Sequence, residues 1–163
     1  MEAANILVDA FGRIREIVHH VVDGQTPRQL AFRVDSEANS IAWLVWHLTR
    51  IQDDHVAEVA QTEQVWTADG WSQRFRLPFA PSATGYGHDS DDVAAVQVRS
   101  GELLTGYHDA VHDMTIRYVE GLTDAEFKTR QDEAAKQTAL DVLDFDITKP
   151  PAEILALGDV GDT

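Results

Sequence analysis

The run Asn39-Ser40-Ile41-Ala42-Trp43-Leu44-Val45-Trp46-His47-Leu48-Thr49-Arg50-Ile51-Gln52-Asp53-Asp54-His55 decides how the rest of this chain is read. Asn39 or Ser40 offers a short oxygen-bearing side chain that can accept a hydrogen bond from a free amide at a helix start. Beyond it Ile41, Leu44, Leu48, Ile51, His55 and then Val59 recur at steps of three and four, the period of an amphipathic helix. No other stretch carries so strong a helical signal. His47 lies mid-helix, beside Trp43 and Trp46 and one position off the apolar stripe. An imidazole there is either a metal ligand or a buried, hydrogen-bonded core group. His55 follows at a distance of about 12 Å along the axis, given 1.5 Å per residue, so the two do not share one ion. Any metal at His47 must take its other ligands from a different helix.

Upstream, Leu7, Ala10, Ile14, Ile17 and Val21 repeat the same spacing, with Arg13, Arg15 and Glu16 outside the stripe, which predicts a helix over about 3–22 that stops at Gly24 and Pro27. Downstream, residues 62–90 mix Gly70, Pro78, Pro81, Gly85 and Gly87 with Trp66, Trp71, Phe75, Phe79 and Tyr86 and show no sustained period. This reads as a long aromatic-rich loop, serving either as a lid or wall for a site or as an ordered crossover that caps the bundle. A third helical region begins near Asp91, breaks at Ser100 and Gly101, continues through Leu104, Tyr107, Val111, Met114 and Tyr118, and ends at Gly121. Thr123 and Glu126 have the spacing of a capping box, so a short helix should start there. Residues 131–142 are compatible with a helix, but Leu143, Phe145 and Ile147 alternate with Asp144 and Asp146 before Pro150 and Pro151. The pattern predicts an all-α fold, with a core over residues 1–132 and a diverged tail over residues 133–163.

Composition narrows the function classes. The 163 residues suffice for one core, and 13 Lys and Arg against 28 Asp and Glu give a formal charge of −15, which repels phosphate backbones and anionic membranes. Nucleic acid and membrane are therefore not expected partners. There is no run near the roughly 18 apolar residues of a membrane span and no basic-then-apolar start, so the expected location is the cytoplasm. The sequence contains no cysteine, which removes disulfides, thiolate zinc ligands and a protein thiol nucleophile. Thiol chemistry here would need a small molecule to bring the sulfur.

Among the seven histidines, His108 and His112 stand at i, i+4, where two imidazoles on one helix face can meet one cation. The plainer reading of the pair is as surface or capping residues. His19 and His20 are adjacent and point apart, and His88 lies in the loop with Asp89, Asp91 and Asp92. Asp53 with Asp54 reads as part of a solvated acidic face. No nucleophile elbow, phosphate loop or dinucleotide fingerprint is present. Trp43, Trp46 and Trp71 are candidates for a substrate pocket, although Trp43 and Trp46 at helical spacing also suit a core.

The run from Asn39 to His55, with Gly70-Trp71, Gly85-Tyr86-Gly87-His88, Gly106-Tyr107 and Asp109-Ala110-Val111-His112, resembles the actinobacterial branch of the DinB-like superfamily. That branch includes the mycothiol-dependent maleylpyruvate isomerase N-terminal domain, and the likeness covers roughly residues 1–131. The resemblance implies a four-helix bundle, commonly a homodimer, holding a divalent metal such as zinc or nickel through three side chains, with His47 as first ligand. It further implies a metal-dependent transferase of low-molecular-weight thiols such as mycothiol, acting on a small-molecule ligand. The family places its remaining ligands on a final long helix, whereas no histidine follows His112, so the fourth helix reads as diverged or missing. Three readings follow: a thiol transferase with His47 joined by His108 and His112 or by another subunit, a degenerate bundle that binds a ligand or protein without catalysis, and a truncated product that folds poorly. No catalytic residue is identified from sequence.

Overall fold

The computed structural model describes residues 2–123 together with 125, 126, 128 and 129. Every regular element among them is helical: α1 (Glu2–Val22), α2 (Pro27–Leu30), α3 (Ile41–Ala60), α4 (Val65–Ala68), α5 (Trp71–Phe75), α6 (Ser90–Ala95) and α7 (Gly101–Gly121). The chain divides into a unit Met1–Leu122 and a unit Thr123–Thr163. The expectations for residues 131–142 and 143–147, the boundary at 132 and the fourth helix all lie outside the described residues.

The three long helices start and stop close to where the periodicity puts them. Ser40 caps α3, its Oγ accepting from the amide of Trp43 at 3.0 Å, and the chain leaves the helix through a left-handed Gln61. Because Ser40 is buried, water does not replace the lost acceptor; Ser40→Ala is expected to lower stability by about 1–2 kcal/mol in a thermal melt. The break near Ser100 separates α6 from α7. A Cβ at Gly101 would lie 2.8 Å from Cγ1 of Val22, so the start of α7 can approach the end of α1 only without a side chain. The second unit opens with the capping box: the Thr123 amide donates to Glu126 Oε2 at 2.7 Å, and the Glu126 amide to Thr123 Oγ1 at 3.2 Å.

The buried faces differ from the expected stripes. On α1 the inward positions are Ala4, Val18 and Val22, while Ile14 and Ile17 of the expected stripe are exposed, Ile17 at 62%. The helix carries two apolar stripes, and its partner selects between them: Arg15 Nε donates to Asp109 Oδ1 of α7 at 2.7 Å, and His19 Nε2 lies 2.9 Å from the same oxygen. On α3 the buried set is Ala42, Trp43, Val45, Trp46, Thr49, Arg50, Asp53 and Ala57, whereas Leu44, His55 and Val59 face outward. α7 packs against both α1 and α3, and Leu104, Tyr107 and Val111 supply its contribution to the core.

The crossover from residue 62 to 90 is more structured than a loop, containing α4 and α5. Gln64 at the start of α4 makes no side-chain cap. Asp53 of α3 supplies the cap instead, its two carboxylate oxygens accepting from the amides of Val65 at 2.9 Å and Trp66 at 2.8 Å. No described helix is long and apolar enough to cross a membrane.

Candidate functional site

His47 projects from α3 toward the second half of the crossover. Its Nδ1 lies 2.6 Å from the carbonyl oxygen of Thr84. A carbonyl only accepts, so Nδ1 carries the proton and, in the neutral ring, Nε2 holds a lone pair. The ring stacks on Trp43 (centroids 4.6 Å apart, planes at 20°) and meets Tyr86 edge-on at 5.7 Å. Gly85 has φ +103°, and a Cβ there would lie 2.5 Å from His47 Nδ1. The turn therefore fits over the imidazole only as glycine. Trp43 Nε1–H donates to His88 Nδ1 at 3.1 Å, placing that ring's proton on Nε2, while His88 also stacks on Trp46.

One and two turns beyond His47, Arg50 and Asp53 are both fully buried. Arg50 Nε donates to the Ala83 carbonyl (3.1 Å), Nη1 to Gln64 Oε1 (2.9 Å) and Tyr107 Oη (3.4 Å), and Nη2 to the Pro81 carbonyl (3.5 Å). Its guanidinium also lies over the Trp66 ring and 3.6 Å from Asp53. Tyr107 Oη donates to Asp53 Oδ2 at 2.8 Å. Burial pushes the Asp53 carboxyl above its ordinary value, opposed by the hydrogen bonds from Tyr107, Trp66 and Val65 and by the Arg50 charge. The solvated reading of Asp53 is thus corrected: sequence marks the residue as charged but carries no sign of the partners that neutralise it.

His108 and His112 occupy a different place. Thr49 Oγ1 spends its hydrogen on the Val45 carbonyl at 2.8 Å, so His108 Nδ1, 3.0 Å away, donates to it. Among the described residues, His108 Nε2 and His112 Nδ1 are buried without hydrogen-bond partners. Thr49 stands about 200° around α3 from His47, at 100° per residue, and His108 follows Thr49 rather than His47. Burial, then the neighbouring His112, depresses the His108 pKa to about 4. The unfolded chain binds the proton near 6.5, so it takes up more protons than the folded one between these values, and stability falls as pH drops from about 6.5 to about 4. The difference between wild type and His108→Leu is expected to change by about 3 kcal/mol across that window, read from urea melts at each pH.

Trp46 lines a cavity of about 230 Å³ with Trp66, Ser72, Gln73, Leu77, Phe79 and Pro81 among its walls. Trp43 and Trp71 are not among its lining residues; Trp43 holds the two imidazoles, and Trp71 packs on Tyr107 with Arg74 over its outer face. His88, Tyr86, Gly85, Arg50 and Asp53 were not singled out by spacing. For Gly85 and His88 the signal was their place in the Gly85–His88 run.

His47 presents one ring nitrogen with no partner among the described residues and a carbonyl behind the other, the arrangement of a metal-bound histidine. Among the described residues no group of three His, Asp or Glu stands close enough to hold an ion. The chain belongs to the DinB superfamily, whose family model matches residues 10–147. The crystal structure of a conserved protein from Enterococcus faecalis is similar, with a TM-score of 0.71 and 20% identity, covering 77% of this chain and 74% of that one. A search of curated proteins found no match. The fold is accordingly an all-α DinB-like bundle.

Proposed function

We propose that the protein is a metal-dependent transferase of a low-molecular-weight thiol of the mycothiol type, with His47 as first ligand to zinc or nickel. The observation that carries this reading is the locked imidazole: the Thr84 carbonyl accepts a hydrogen bond from Nδ1–H, Gly85 lets the turn close over the ring, and Nε2 is left to donate its lone pair. When bound, such an ion supplies Lewis acidity that lowers the pKa of a thiol. The absence of cysteine agrees with a sulfur brought by the co-substrate. Trp46 and its cavity are the candidate site for the small-molecule acceptor, and Trp43 orients the histidine. His108 and His112 form a separate pair in this reading, and the homodimer rests on the resemblance alone.

A second reading, a bundle that binds a ligand without catalysis, is favoured by the lack of three close donors among the described residues. Metal content measured by mass spectrometry on untagged protein separates the two. Near-stoichiometric zinc or nickel supports the transferase; no metal after incubation with either ion leaves the binding module.

A further inference from the structure

We propose that Arg50 is a positioning residue for His47, fixing through the crossover carbonyls which ring nitrogen is bare. Arg50 stands three residues after His47, one helical turn along the same side of α3. All three of its nitrogens are engaged, Nε and Nη2 by Ala83 and Pro81, and the carbonyl directly after Ala83 is the one that accepts from His47 Nδ1–H. The guanidinium is itself fixed from behind by Asp53 and Tyr107. Its planar fork can hold two carbonyls and an amide oxygen at once, which a lysine ammonium on a flexible stem cannot do with the same directionality. A buried ion pair is weak grounds for stability, since a well-packed apolar group in its place often does as well. What the pair adds here is a fixed position for residues 81–84, and with it a single tautomer of His47.

The inference rests on the reading of His47 as a ligand only for its metal arm. Histidine nitrogen NMR on the full, metal-free chain reports the tautomer directly. Wild type is expected to show His47 protonated at Nδ1 alone. Arg50→Lys, which keeps a charge beside Asp53, should convert His47 to a mixture of tautomers and weaken zinc binding by about 10–100-fold. Gly85→Ala should do the same from the other side of the turn while leaving the Arg50 contacts in place. Gly101→Ala, whose Cβ would crowd Val22 at the start of α7, serves as a destabilised control that touches neither and should keep the single tautomer. Should Arg50→Lys fail to fold, Arg50→Gln/Asp53→Asn removes both charges together and is read in the same way. An unchanged His47 tautomer in the Arg50 variant overturns the proposal, as does an equal loss in the Gly101 control. Wild type that binds no zinc would overturn the transferase reading, while the tautomer comparison would still decide the role of Arg50.

Discussion

Asp53→Ala is expected to lower the free energy of unfolding by about 3–5 kcal/mol, the usual cost of stripping one partner from a buried ion pair. Three donors lose their acceptor at once: the amides of Val65 and Trp66 and the hydroxyl of Tyr107. Arg50, fully buried, is left without a counter-charge. The two amides are the cap of α4, for which Gln64 offers no side-chain bond of its own. Asp54 next to it is only half-buried and accepts from Gln64 Nε2 at 2.6 Å, so Asp54→Ala should cost about 1 kcal/mol or less. Urea denaturation of the two variants checks this. A loss below about 1 kcal/mol for Asp53→Ala would mean that Asp53 does not carry the network.

On wild type that binds zinc or nickel, His47→Ala should reduce affinity by at least about 100-fold, because a missing ligand costs no less than a missing partner behind a ligand. The fold should survive, since the ring is partly exposed and its polar contacts end at a single carbonyl. His108→Ala/His112→Ala should leave the affinity within a few-fold of wild type, although it opens space in the core and lowers stability. Isothermal titration with each protein separates these outcomes. Metal retained by His47→Ala and lost in the double variant would move the ion to the α7 pair.

The limits of helices could be read from short-range chemistry. Ser40 before an apolar run, the break at Ser100 and Gly101, and the pairing of Thr123 with Glu126 each act within a few residues, so spacing suffices to find them. The faces could not be read in this way. On α3 the most regular apolar stripe is split, with Leu44, His55 and Val59 exposed and Ile41, Leu48 and Ile51 only partly buried, while the fully buried side carries Thr49, Arg50 and Asp53. Hydrophobic periodicity assumes that charge stays in water, and it misleads where charges satisfy one another inside. α4 escaped notice for a related reason, as the carboxylate that caps it belongs to α3.

The candidate site divides along the same line. His47 stood out in sequence by its position among tryptophans in a strong helix, and the superfamily could be recognised from the run around it. By itself, then, the sequence determined the all-α class, the extent of the long helices, the lack of any protein thiol and His47 as the residue to examine. Only the tertiary structure decided which face of each helix is buried, that His108 lies around α3 from His47, and that Thr84 and Gly85 close on the imidazole. Those facts depend on groups far apart in the chain and brought within hydrogen-bond distance by packing, and hydrogen bonds at 2.6–3.1 Å leave no trace in local spacing.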